Sequence, residues 1–125
     1  MNLLLDTHVL LWWLDDAPIL SEKTRYLIAD PQNLVFISAA VIWEIRIKQA
    51  LGKLDIPDNF RKVLDREHFE MLDITTEHAY AVGDLPGHHR DPFDRMLVVQ
   101  AKVEGLTLIS HDARLKQYDI PIIEP

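Results

Sequence analysis

A strand-length apolar run that stops abruptly at a carboxylate is the feature that most constrains this chain. Asn2 to Leu5 reads NLLL, and Asp6 ends it. Apolar residues resume with Val9, Leu10, Leu11, Trp12, Trp13 and Leu14, in a stretch better suited to a helix than to a strand. One carboxylate therefore sits where a buried strand hands over to a helix. In open α/β sheets, ligands bind at that carboxyl edge of the strands. The rest of the chain is read for partners to Asp6.

The segments that follow alternate. Asp15-Asp16-Ala17-Pro18 is a turn, and Ser21 has the position of an N-cap, with Glu22 in the first turn of the helix behind it. Asp30-Pro31-Gln32-Asn33 ends that helix, and Leu34–Ile37 is a short β-branched and aromatic strand. Ser38 caps a helix closed by Gly52, in which Ile42, Trp43, Ile45, Ile47 and Ala50 give a broad apolar face around Glu44. A helix is expected over Asn59–Arg66, a weaker strand over Phe69–Leu72 and a helix from Thr75 or Thr76 to about Val82. Gly83–Arg90 (GDLPGHHR) is a loop. Asp91-Pro92 starts a helix with Asp as cap and Pro as first helical residue. Phe93, Met96, Leu97, Gln100 and Ala101 recur at helical spacing, widened by Val98 and Val99, so that helix is expected to be buried on most sides. Leu106–Ile109 is a strand, Ser110-His111-Asp112 leads into a short helix to about Tyr118, and Ile120–Ile123 is a last strand. Strands alternate with helices and no tight hairpin joins two of them. The pattern implies parallel pairing with right-handed crossovers, a three-layer α/β/α sandwich.

With 125 residues, the chain is expected to be a single domain, 1–125, with a real core. A 48% hydrophobic and 26% charged composition is that of a globular protein in water. No apolar run approaches the roughly 18–20 residues that span a bilayer, so no membrane partner is expected. The apolar N-terminus lacks the basic leader of a signal peptide, and Asp6 interrupts it. The absence of cysteine excludes disulfides, thiolate metal sites and a cysteine nucleophile, and it fits a cytoplasmic location. A net charge of −7 argues against an extended nucleic-acid surface, unless the acids are concentrated to hold cations that reverse the local sign.

The acids at Asp6, Glu44, Asp94 and Asp112 stand out by context, with Asp91 beside them. Asp6 and Asp112 each follow a strand and so share one edge of a parallel sheet. Asp91 and Asp94 open the helix that precedes the fourth strand, and a connection there brings them to the same edge. Each also has a plainer reading. Asp91 and Asp112 can serve as helix caps, and Asp94 can favour the helix dipole alone. Glu44 is harder to dismiss, because Glu is rarely buried unless paired; Lys48 lies four residues on. Together these acids would repel one another unless cations neutralise them. Carboxylates without cysteine or paired histidine spacing suit Mg²⁺ or Mn²⁺, and such ions serve phosphodiester hydrolysis. No Walker loop, G-x-G-x-x-G turn or G-x-S-x-G elbow is present. His88 and His89 are in reach of phosphate by charge, but a solvated loop is the favoured reading. Trp12 and Trp13 are read as core or dimer contacts rather than base-stacking platforms.

At these residues the chain resembles PIN-domain ribonucleases, and within them the VapC-type toxins of bacterial toxin–antitoxin pairs. The resemblance runs nearly end to end through LLLDTHVLLWWL, SAAVIWEIRIKQALGKL, HHRDPFDRMLVVQA and LTLISHDARLKQY. It implies a PIN-like α/β/α fold with a mostly parallel, roughly five-stranded sheet. It also implies metal-binding, catalytic roles for Asp6, Glu44, Asp94 and Asp112, with Asp91 as an extra acid in the H-x-D-P-F-D-R form. Thr7 resembles the position whose hydroxyl helps orient metal or water, and Arg90 and Arg95 are candidates for substrate phosphate by charge and place. The resemblance further implies one or two Mg²⁺ or Mn²⁺ ions, endonucleolytic cleavage of RNA, a homodimer and a cognate antitoxin whose C-terminal segment blocks the acidic site.

The expectation is thus a Mg²⁺-dependent endoribonuclease acting as the toxin of such a pair. The alternatives are a housekeeping PIN-type RNA-processing nuclease and a non-catalytic binding module with an acidic pocket. A phosphoacceptor receiver domain would want a lysine after a late strand, where this chain has Ser110-His111-Asp112.

Overall fold

In the computed structural model, which describes residues 1–125, Asn2–Leu5 forms β1, the central strand of a five-stranded sheet. Leu3, Leu4 and Leu5 are wholly buried, as expected of a strand covered on both faces. β1 pairs in parallel with β2 (Leu34–Ser38) on one side and with β4 (Thr107–Ile109) on the other. β3 (Glu70–Leu72) lies outside β2, and β5 (Ile122–Ile123) lies outside β4. The order is β3-β2-β1-β4-β5 and every pairing is parallel, so the sheet expected to be mostly parallel is entirely so.

Six helices connect the strands: α1 (Thr7–Leu14), α2 (Glu22–Ala29), α3 (Ala39–Ala50), α4 (Phe60–Asp65), α5 (Thr76–Val82) and α6 (Pro92–Glu104). The chain travels from β1 outward through β2 to β3, then crosses back to β4 and outward again to β5. Right-handed crossovers travelling in opposite directions put helices on both faces of the sheet, the three-layer arrangement. The direction of winding reverses between β1 and β4. At such a reversal the two flanking loops part and leave a crevice at the carboxyl ends of the strands.

Local signals account for most boundaries. The side chains of Ser21 and Ser38 accept from Thr24 N and Ala40 N as N-caps. Thr75 and His78 satisfy each other's backbone N–H groups at the start of α5. α6 opens with Asp91 and Pro92 and ends at Gly105 in the left-handed region, φ 68°. The strand after α6 begins one residue later than its apolar run, because Leu106 N donates to Ala101 O and completes the helix end. The last strand is shorter than its apolar run for a similar reason. Ile120 N turns back to Tyr118 O, and Pro121 has no N–H to offer the ladder. α4 is the weakest helix start: Asn59 makes no side-chain cap.

The leucines of β1 form the floor beneath Asp6. Leu4→Ala removes a fully buried side chain at the centre of the sheet and is expected to lower unfolding free energy by about 2–5 kcal/mol in urea titration.

Candidate metal centre

Three loops at the carboxyl edge of the sheet converge on a cleft of about 480 Å³. Asp6, Thr7, Glu44, Asp91, Asp94 and Asp112 all line it, and Ala113 is its only apolar lining residue. The cleft stands at the reversal of winding, beside the ends of β1 and β4.

Asp6 continues β1 by one residue, donating its backbone N–H to Ile109 O at 3.2 Å. Its Oδ1 caps α1, accepting from Val9 N at 2.9 Å, and the residue is only 4% exposed. Burial pushes its carboxyl above the ordinary range, opposed by hydrogen bonds from the Ser110 hydroxyl and Val9 N and by the charges of His8 and His111. Glu44 reaches the cleft from the middle of α3 and is also buried. Thr7 Oγ1 donates to its Oε1 at 2.5 Å, and Lys48 Nζ lies 2.8 Å from its Oε2. The hydrogen bond to Glu44 holds the Lys48 ammonium above its usual pKa. The partner four residues along the helix thus props the acid, with Thr7 as a second support.

Asp91 Oδ1 caps α6, accepting from Phe93 N and Asp94 N at 2.9 and 3.0 Å. Asp94 follows in the first turn, and its pKa is raised to about 6, first by burial and then by Asp91. Asp112 caps a 3-10 helix (Ala113–Gln117) and is gripped by Arg114, whose Nε and Nη2 donate at 3.1 and 2.9 Å. That guanidinium holds the Asp112 carboxyl down at about 2.

His89 differs most from its reading as part of a solvated loop. It is 5% exposed, and its Nε2 lies 2.9 Å from Asp94 Oδ2 and 3.0 Å from Asp112 Oδ2. Its Nδ1 accepts from Asp91 N at 3.3 Å, which assigns the ring proton to Nε2, between the two acids. His88, by contrast, is exposed. The loop is drawn in by Arg95, whose guanidinium donates to the carbonyls of Val82, Leu85, Pro86 and His89. Tyr118 adds to the clamp: its hydroxyl accepts from His89 N at 3.0 Å and donates to Pro86 O at 2.8 Å. The donors of Arg95, a candidate for substrate phosphate by charge, are thus spent on this loop. Arg90 is exposed and lies outside the residues lining the cleft.

The lining also contains His8, His111 and Arg114, which the sequence did not single out, with His89, read there as part of a solvated loop, and Lys48, foreseen only as a partner of Glu44. For Arg114 a signal was present, a base two residues after Asp112.

The donor set fits a hard divalent cation. Asp94 and Asp112 stand on either side of His89 Nε2, whose proton they share, and the carboxylates of Asp6, Glu44 and Asp91 line the same cleft. Burial raises both Asp6 and Asp94, with Asp91 adding to the rise at Asp94, so a bound cation would favour the ionised form of each.

These shifts fix a pH dependence. Because the folded pKa of Asp94 lies above the ordinary value, protonating it favours the folded state, so stability from this group rises as pH falls from 7 through about 6. Asp112 acts oppositely, and its contribution is lost as pH falls from the ordinary carboxylate range toward about 2. Thermal melts in EDTA are expected to peak near pH 5. Asp94→Asn should flatten the alkaline side and raise Tm at pH 7.5 by about 2–5 °C.

Residues 3–121 match the PIN domain family. No curated protein matches the chain. Among solved structures, VapBC2 from Rickettsia felis, bound to a DNA fragment from their promoter, superposes with a TM-score of 0.75 at 18% identity, over 98% of this chain and 98% of that one. VapBC-1 from nontypeable Haemophilus influenzae gives a TM-score of 0.71 at 20% identity, over 99% and 98%. DNA-bound VapBC from Salmonella typhimurium gives 0.73 at 20%, over 98% and 97%. These similarities agree with the all-parallel fold and with the match over nearly the whole length: the chain belongs to the PIN domain family.

Proposed function

We propose that this PIN-domain protein is a metal-dependent endoribonuclease of the VapC type, the toxin of a toxin–antitoxin pair. The observation that carries the proposal is the convergence of Asp6, Glu44, Asp91, Asp94 and Asp112 on one cleft at the reversal of the sheet. Its membership of the PIN family and its likeness to the VapBC structures support the same reading.

Asp6, Glu44, Asp94 and Asp112 would hold Mg²⁺ or Mn²⁺, with Asp91 at the edge of the set. When bound, such an ion supplies an activated water and neutralises charge on a phosphodiester. The chain's own part is to hold the acids in place. Thr7 and Lys48 fix both oxygens of Glu44, Val9 N fixes one oxygen of Asp6, and Arg114 fixes Asp112. His89 keeps its Nε2 proton between Asp94 and Asp112, so those two carboxylates do not face each other bare. Arg90, exposed next to His89, is the better placed of the two arginines to meet a substrate phosphate, since Arg95 is engaged with the loop.

An antitoxin partner is proposed from the VapBC neighbours, and a basic inhibitory segment would suit the acidic cleft. A homodimer and a cytoplasmic location belong to the same reading; no helix is long and apolar enough to cross a membrane.

Purified protein incubated with total cellular RNA in Mg²⁺, Mn²⁺ or EDTA tests the proposal. Defined fragments are expected with metal and none with EDTA, and Asp6→Asn should reduce cleavage at least about 100-fold while the circular dichroism spectrum is unchanged. Cleavage by Asp6→Asn at the wild-type rate would overturn the site. Cleavage without growth arrest on expression would favour the RNA-processing alternative.

A further inference from the structure

The cleft has a rim of exposed aromatic rings. His8 and His111 both line it and both are exposed. Their rings meet edge to face, with centroids 5.6 Å apart and planes at 85°. Trp12 follows His8 by one helical turn on α1, so both project from the same face. Its ring lies 5.8 Å from that of His8 and 5.0 Å from that of His111. Trp12 is half-buried and packs against the core, which anchors the group. The buried histidines spend ring nitrogens on carboxylates, His78 on Glu104 and His89 on Asp94 and Asp112. His8 and His111 instead present aromatic surface to solvent, directly beside the acids.

We propose that His8, Trp12 and His111 form a subsite for an unpaired nucleobase next to the phosphate in the cleft. The inference rests on the nuclease reading and deepens it. Unstacked bases bind aromatic faces with little regard to sequence, whereas a duplex hides those faces. Stacking also answers a difficulty of charge. A protein with a net charge of −7 gains less from the phosphate backbone than a basic one, so contacts that do not depend on charge add to its grip on RNA. An aromatic cluster bordering the acidic cleft supplies one.

The test compares two fluorescein-labelled probes in Ca²⁺: a ten-residue oligoadenylate, and a ten-residue chain of the same ribose-phosphate backbone without bases. The wild-type protein is expected to bind the oligoadenylate at least about tenfold more tightly than the abasic chain. Replacing both exposed rings, His8→Ala with His111→Ala, should remove about tenfold of that preference, read as the ratio of the two probes' affinities for the same variant. His8→Phe with His111→Phe, which keeps the rings, should retain the preference. Undiminished binding of oligoadenylate by the alanine variant would overturn the proposal. So would equal loss for both probes, which would make the imidazoles phosphate contacts. Metal-dependent cleavage of total RNA by the wild type separates the two readings. Cleavage with no preference for the base-bearing probe removes the subsite alone, and absence of both cleavage and binding removes the nuclease reading with it.

Discussion

Helix capping by aspartate is the interaction on which the cleft depends. Asp6 caps α1, Asp91 caps α6 and Asp112 caps the 3-10 helix, each accepting backbone N–H groups through Oδ1. For Asp6 and Asp91 a second oxygen remains for the cleft. Capping and ligation are therefore compatible uses of one carboxylate, and the plain reading of each aspartate as a cap does not compete with a chemical role. The backbone donors at these termini also make negative charge less costly where they point. Glu44 is the exception. It sits in mid-helix without such help, and Thr7 and Lys48 take the place of the missing donors.

The same crowding sets the electrostatics. Three cationic or protonatable groups, Lys48, Arg114 and His89, stand directly against Glu44, Asp112 and the Asp94–Asp112 pair. Asp112, gripped by a guanidinium, is held low, while burial pushes Asp6 and Asp94 up. A cation would favour the ionised forms of Asp6 and Asp94, the two acids that burial penalises. The cleft concentrates carboxylates, so part of the chain's acidity is gathered at one place.

Much of this was legible in the residues themselves. The run NLLL followed by Asp6, the caps at Ser21, Ser38 and Asp91, and the convergence of acids at strand ends all follow from local pattern and the geometry of parallel sheets. The fate of GDLPGHHR was not. Its composition is that of a solvated loop, and His89 is buried only because Arg95 and Tyr118 bond its backbone from elsewhere in the fold. Arg95 was misleading for the same reason: a positive charge beside an acidic site looks like a phosphate contact until its donors are counted against loop carbonyls. Trp12 was legible as an apolar helix position. Its place beside His8 and His111 depends on the adjacency of β1 and β4, which single-sequence periodicity does not express.

The most direct test of the central claim, that uncompensated carboxylates make this cleft a cation site, is calorimetric titration of metal-free protein with Mn²⁺ at two pH values in buffers of differing ionisation heat. Saturable binding is expected at both. Binding should release protons at pH 6, near the Asp94 pKa, and fewer of them at pH 8. No saturable binding, or a proton release that does not change between the two pH values, would contradict it.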